Sequence, residues 1–295
     1  MCKWNACFVS IVMFFFCIGM VAMTPNWSGE NHTQETTVVE AAEVTVEETT
    51  EKKVLPPVVD EIELKQREMR DTTVFVQTRQ GSGSGTIIDR LETDTDGLCE
   101  YLVLTNAHVT YSRFITILRG VDSITGKVKS ERIDTGCGVI AFNHTERDWF
   151  PHNATVIAED MRYDLALLSF RSKHEFSVAK IADDDMLSQV RVFDEIFAIG
   201  CQLGNAPSPT TGIISQIITG NNGEKEWVIY GNTAQITPGS SGGGLFKKYD
   251  GHYYMIGIPF RVAIACNGQI VPHLAHAISV GVARDFIDQN AVTCP

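Results

Sequence analysis

Between Thr73 and Val282 the chain is a succession of short β-branched or aromatic runs, each cut off by Gly, Asn, Asp or Pro before it reaches the length of an ordinary helix. Many short strands at such spacing predict an all-β sandwich or barrel, architectures that hide the edges of their sheets. The predicted strands are Thr73–Thr78, Val103–Leu104, Phe114–Leu118, Ala154–Ile157, Leu165–Phe170, Ile196–Ile199, Gly212–Ile218, Trp227–Tyr230, Tyr253–Ile258 and Ala277–Val282. Asp60–Asp71 reads as a short helix before the first of them, and Ala283–Asn290 as a closing helix.

The first 59 residues do not share this pattern. Lys3 precedes an uncharged run from Phe8 to Met23, long for the core of a signal peptide and slightly short for a full membrane span. Residues 1–25 are therefore predicted to be a signal peptide or a signal anchor, the anchor being slightly favoured because the small-residue cleavage sites are mediocre. With Lys3 holding the short tail inside, the rest of the chain is exported to a periplasmic or extracellular location, anchored by residues 6–23 if the run is retained. Residues 26–59 are predicted to form an acidic Thr/Val/Glu-rich linker; its seven glutamates less Lys52 and Lys53 supply −5 of the chain's formal net charge of −12. Residues 60–295 remain for one folded domain. No basic patch suggests nucleic acid as a partner.

Chemistry is concentrated in Thr237-Pro238-Gly239-Ser240-Ser241-Gly242-Gly243-Gly244, a small-residue turn between two predicted strands. A serine hydroxyl becomes a nucleophile only with a base to take its proton and donors to hold the charge on the attacked oxygen. Glycines can take the positive φ that lets the N–H groups of Gly239 and Ser241 converge on one oxyanion. Upstream, Tyr101–Val109 is an apolar run ending in His108, and Asp164 opens the apolar run Leu165–Leu168. The order His108, Asp164, Ser241 is that of a chymotrypsin-like triad, with His108 as general base and Asp164 fixing its tautomer. The other histidines, including His144, His152, His252, His273 and His276, have separations that suit no compact zinc motif, so neither a metal nor a cofactor is expected.

Six stretches together, Gly81–Thr86, Leu104–Val109, Asp164–Leu168, Ala198–Gly200, Thr211–Ser215 and Pro238–Gly243, resemble the successive signatures of a trypsin-like serine protease, most closely the HtrA/Deg type. The resemblance implies two six-stranded antiparallel barrels with the active site in the cleft between them, the first carrying His108 and Asp164 and the second Ser241. It leaves no residues for a PDZ domain. It also implies that Gln235, Ile258, Pro259 and Phe260 flank the pocket for the side chain before the scissile bond; with no acid at its base, that pocket suits a small or medium apolar side chain. Digestive relatives carry an aspartate before the nucleophile that pairs with a newly cleaved N-terminus; Ser240 stands there, so no such processing is expected.

The resulting expectation is an endopeptidase acting on proteins or peptides through an acyl-enzyme, against two rivals: a non-catalytic binding protein on the same fold, and an esterase using the same triad. Five cysteines lie outside the N-terminal segment: Cys99, Cys137, Cys201, Cys266 and Cys294. They allow up to two disulfides or a set of isolated apolar thiols. Asn26, Asn31, Asn143 and Asn153 begin glycosylation sequons.

Overall fold

The computed structural model describes residues 60–92, 97–143, 148–221 and 226–290. The N-terminal segment, the acidic linker, His144, Cys294 and two of the sequon asparagines, Asn26 and Asn31, lie outside these residues. Among the described residues no helix is long and apolar enough to cross a membrane.

The chain enters through helix α1 (Glu61–Lys65), capped by the Asp60 carboxylate on the Ile62 N–H, which continues as a π-helical turn over Gln66–Arg70. The first barrel begins with β1 (Thr73–Gln77), β2 (Ser82–Glu92) and β3 (Cys99–Thr105), followed by the short helix α2 (Ala107–Tyr111). A ribbon of β4 (Phe114–Val121) and β5 (Val128–Asp134) pairs only with itself. Then β6 (Cys137–Asn143), β7 (Asp148–Asp160) and β8 (Leu165–Ser172) complete a closed ring in the order β1-β2-β3-β8-β7-β6.

The second barrel follows β9 (Lys180–Ile181) and helix α3 (Asp184–Ser188). Its strands are β10 (Glu195–Gly200), β11 (Ser208–Asn221), β12 (Glu226–Asn232), β13 (Gly244–Tyr249), β14 (His252–Ile264) and β15 (Ile270–Ser279). They run β13-β10-β11-β12-β15-β14, and the pairing of β13 with β14 closes this ring too, while β9 adds to β14 in parallel. The expected pair of six-stranded barrels is thus the observed fold. Helix α4 (Val280–Asn290) starts three residues earlier than predicted. Val280-Gly281-Val282 reads as strand from its β-branched residues, but β15 ends at Ser279, where the chain turns to bury Val280 and Val282 in the core.

The alternation of side chains along β3 and β8 explains why these strands are apolar throughout. Tyr101, Val103, Leu168 and Phe170 fill the first barrel, where the rings of Tyr101 and Phe170 stack at 5.2 Å. Leu102, Leu104, Leu165 and Leu167 point the other way, into the large cluster shared with the second barrel. Both faces are covered, so polar alternation is lost. Each of these fully buried leucines contributes roughly 1.5–3 kcal/mol, and together they fix β3 and β8, whose ends lead to His108 and Asp164, against the second barrel.

The entry segment ties the two barrels from outside. Glu68, buried, accepts from Lys180 Nζ at 2.6 Å, from His252 Nδ1 at 2.7 Å and from the Tyr253 N–H at 2.9 Å, while β1 a few residues later belongs to the first barrel. Burial would raise the Glu68 carboxyl, but these donors, Lys180 foremost, outweigh it and hold it below the usual carboxylate range.

Candidate active site

His108 does not end a strand. β3 stops at Thr105, Asn106 turns the chain, and His108 sits in the single-turn helix α2. Its Nδ1 lies 2.8 Å from Asp164 Oδ2, and its backbone N–H donates to Asp164 Oδ1 at 2.9 Å, so one carboxylate grips both the ring and the main chain. A carboxylate only accepts, so the ring proton belongs on Nδ1 and Nε2 is left with a lone pair. His108 is 46 % exposed at its side chain and Asp164 25 %, so the pair opens onto solvent.

Asp164 adopts φ +54°, a left-handed conformation that aspartate tolerates better than most residues. Asn106, fully buried, donates from Nδ2 to the Asp164 carbonyl at 2.9 Å and holds it there. The same asparagine that turns the chain towards His108 therefore sets the backbone of its partner. Sequence reasoning gave Asn106 no role, although it sits inside the Leu104–Val109 stretch.

Helix α2 is held from behind by Arg113, whose guanidinium donates to the Thr110 carbonyl at 3.1 Å, to Asp134 at 2.8 Å and to both Glu159 oxygens at 2.5 and 2.9 Å; the Thr110 hydroxyl also donates to Glu159. Burial pushes the Glu159 carboxyl up, but the Arg113 and Thr110 hydrogen bonds bring it below its ordinary value. Breaking a fully buried ion pair costs about 3–5 kcal/mol. Glu159 keeps 20 % of its side chain in solvent, so Glu159→Ala is expected to cost about 2 kcal/mol and lower the melting temperature by roughly 4–8 °C, measurable by calorimetry.

Ser241 lies between β12 and β13. Gly239 and Gly242 take φ +98° and +86°, and neither could carry a side chain. A Cβ on Gly239 would stand 2.5 Å from the Cys201 carbonyl oxygen, and one on Gly242 would collide with Ser84 O and Thr105 Oγ1 and come within 3.1 Å of the Asn106 N atom. The second-barrel turn is thus pressed directly onto the end of β3, three residues before His108. The Ser84 N–H donates to the Ser241 carbonyl at 2.8 Å and the Gly242 N–H to the Pro259 carbonyl at 2.9 Å. The Ser241 hydroxyl reaches the Phe260 carbonyl at 3.5 Å and makes no hydrogen bond to His108 among the described residues.

The N–H groups of Gly239 and Ser241 have no acceptor among the described residues, and their directions follow from the carbonyls of the same peptides. The Pro238 carbonyl accepts from the Leu203 N–H at 2.8 Å and the Ser240 carbonyl from the Gly243 N–H at 3.1 Å. In a trans peptide the N–H points opposite to the C=O, so each free N–H is turned away from its own anchor. Two such donors flanking a serine are what an oxyanion requires. Ser240 is buried, its Oγ accepting from the Thr237 N–H at 3.4 Å, so the turn is closed from within.

The four proposed pocket residues separate. Gln235 is exposed and, with Ile236, Ser240 and Pro259, lines a narrow crevice that contains no charged side chain. Phe260 lines a larger cleft of about 340 Å³ with Asp164, Tyr163 and Trp227. Ile258 lines neither: it is fully buried opposite Ile278 in the core, because the period of the strand turns it inward between Gly257 and Pro259. Among the described residues Cys99, Cys137, Cys201 and Cys266 are free, and burial pushes the thiols of Cys137 and Cys201 up to about 11 and about 12. No group of three or more His, Cys, Asp or Glu among the described residues is placed to hold a metal ion.

Curated relatives include the serine protease Do-like HtrA of Lactobacillus helveticus, 31 % identical over 153 residues, which are 48 % of this chain and 35 % of that protein. The periplasmic serine endoprotease DegP of Escherichia coli is 34 % identical over 138 residues, 46 % of this chain and 27 % of that protein. The chain thus spans about a third or less of the length of these relatives. Among solved structures, Deg5 superposes with a TM-score of 0.54 at 20 % identity over 76 % of this chain and 90 % of its own, and an HtrA-type protease with a tripeptide with 0.53 at 20 % identity over 78 % and 63 %. These last two share the fold. The model of the trypsin-like peptidase domain matches residues 83–258, more than half of the 295 residues, and the chain belongs to that family.

Proposed function

We propose that residues 60–295 form a serine endopeptidase domain that cleaves protein substrates through an acyl-enzyme on Ser241. The observation that carries this reading is the pairing of a gripped His108–Asp164 couple with a glycine turn whose two free N–H groups flank a serine. Asp164 holds His108 so that Nε2 is bare, and the Ser241 hydroxyl, resting on the Phe260 carbonyl in the free protein, turns to it as substrate binds; such bonds are often unmade in an empty site. Attack on the scissile carbonyl sends the Ser241 proton to His108 and the developing charge to the Gly239 and Ser241 N–H groups. His108 then passes the proton to the leaving amine, and water, activated the same way, frees the acyl group.

The crevice beside Gln235 and Pro259 has no room for a water molecule in the free protein and must widen to take any side chain; the residues that line it carry no charge, which supports a small or medium apolar side chain before the scissile bond over Lys or Arg. Export of the domain is supported by the predicted leader and by relatives whose names place them in the periplasm. The test is to incubate the purified chain with unfolded casein, a simple ester and a fluorophosphonate probe. Casein cleavage together with labelling of the Ser241 peptide is expected. Ester hydrolysis alone would make it an esterase, and an unlabelled, inactive protein a binding module.

A further inference from the structure

The nucleophile turn belongs to the second barrel, yet a residue of the first makes two hydrogen bonds to it. Ser84, on β2 and fully buried, donates from Oγ to the Gly239 carbonyl at 2.6 Å and accepts the Cys201 N–H on the same oxygen at 2.7 Å. Its own N–H holds the Ser241 carbonyl at 2.8 Å, and its carbonyl takes the Thr105 hydroxyl at 2.6 Å. Every hydrogen-bonding group of this serine is engaged, on the oxyanion turn, on the strand leading to His108 or on Cys201 just after β10.

Three consecutive peptides build the turn. The outer two, Pro238–Gly239 and Ser240–Ser241, carry the free N–H groups. The middle one, Gly239–Ser240, has its N–H on the Thr237 carbonyl at 3.0 Å and its C=O on the Ser84 hydroxyl. Gly239, at φ +98°, is the residue best able to rotate, since a glycine exchanges positive and negative φ at little cost. Its rotation is opposed on one side by the Leu203–Pro238 bond and on the other by Ser84 Oγ. The Ser84 side chain is fully buried and so is not open to substrate.

Building on the peptidase reading above, we propose that Ser84 is a positioning residue of the reaction: its hydroxyl fixes the Gly239–Ser240 peptide, and through it the aim of the Gly239 N–H at the oxyanion. The contribution is made in the transition state, where the oxygen carries charge, and not in substrate binding. Removing a whole oxyanion donor costs about 10²–10³ in turnover. Loosening one without removing it is expected to cost roughly 10–100-fold in kcat with KM unchanged.

The experiment is Ser84→Ala in the full chain, with kcat and KM on a peptide amide, the affinity of a peptide boronate that mimics the tetrahedral intermediate, and the melting temperature. The expected result is a fall in kcat matched by an equal fall in boronate affinity, with KM within about twofold of wild type and a melting temperature lower by roughly 4–8 °C, because the Gly239 carbonyl and the Cys201 N–H lose their partner. Ser84→Cys, of similar size with a weaker donor, should fall between the two, and it carries the same measurements if the alanine variant does not fold. A kcat within twofold of wild type, a change confined to KM, or a loss of kcat without loss of boronate affinity would overturn the proposal. Failure of the peptidase reading looks different: there the wild-type chain itself would not cleave the peptide, or Ser241→Ala would cleave it as well as wild type.

Discussion

Replacing Ser241 or His108 by alanine is expected to lower turnover on casein by about 10⁶-fold, the loss seen when a triad acts as one unit. The His108–Asp164 geometry gives the reason. With Nδ1 committed to the carboxylate at 2.8 Å, the only basic nitrogen left is Nε2, and no other histidine of the described residues stands at the turn. Without it the hydroxyl has no proton acceptor; without the hydroxyl there is nothing to acylate. Asp164→Asn should be milder than either, because Asn106 still holds the backbone of residue 164 and an amide oxygen still faces the ring. Progress curves on casein, with protein freed of contaminating protease, provide the measurement. A Ser241→Ala protein cleaving at the wild-type rate would remove the serine from the reaction.

Gly239→Val is expected to lower kcat by about 10²–10³, some 3–4 kcal/mol of transition-state stabilisation. Two independent features of the turn lead to this value. A β-branched residue is strained at φ +98°, and its Cβ would stand 2.5 Å from the Cys201 carbonyl and 2.9 Å from the Leu203 N atom. Relief moves the turn away from Cys201 and Leu203, which carries the Gly239 N–H off its aim. The surrounding strands β10 and β13 pair with each other and with their other neighbours, so the fold should survive, as circular dichroism would record. Wild-type kinetics in a folded Gly239→Val protein would take this stretch out of the mechanism.

What the sequence made legible is the set of features whose residue types are scarce elsewhere. The Gly/Ser turn, the histidine after an apolar run and the lone aspartate before another each carry a local signature, and the strands that are apolar on both faces, β3 and β8, announce themselves. What escaped were elements whose residues are ordinary until they are placed. Strand β5 is Val128-Lys129-Ser130-Glu131-Arg132-Ile133-Asp134, largely exposed, and shows no apolar face to read. Arg113, Glu159 and Thr110 are separated by up to 49 residues and meet only because β7 passes behind α2. Ser84 lies inside the signature stretch Gly81–Thr86, yet only the distance of its hydroxyl from Gly239 gives it a task. Ile258, expected beside the pocket, is fully buried opposite Ile278.

The closure of the second ring also bears on how such a protein is made. The nucleophile turn joins β12 to β13, and β13 finds its second neighbour only when β14 pairs with it. The backbone that receives the Gly242 N–H, at Pro259, lies on that same β14. The first barrel, which carries His108 and Asp164, is complete in sequence by Ser172, whereas the ring that carries the Ser241 turn needs residues as late as Ser279. On the peptidase reading, activity therefore requires strands that follow Ser241 in the chain, and a chain cut before β14 is expected to be inactive on casein.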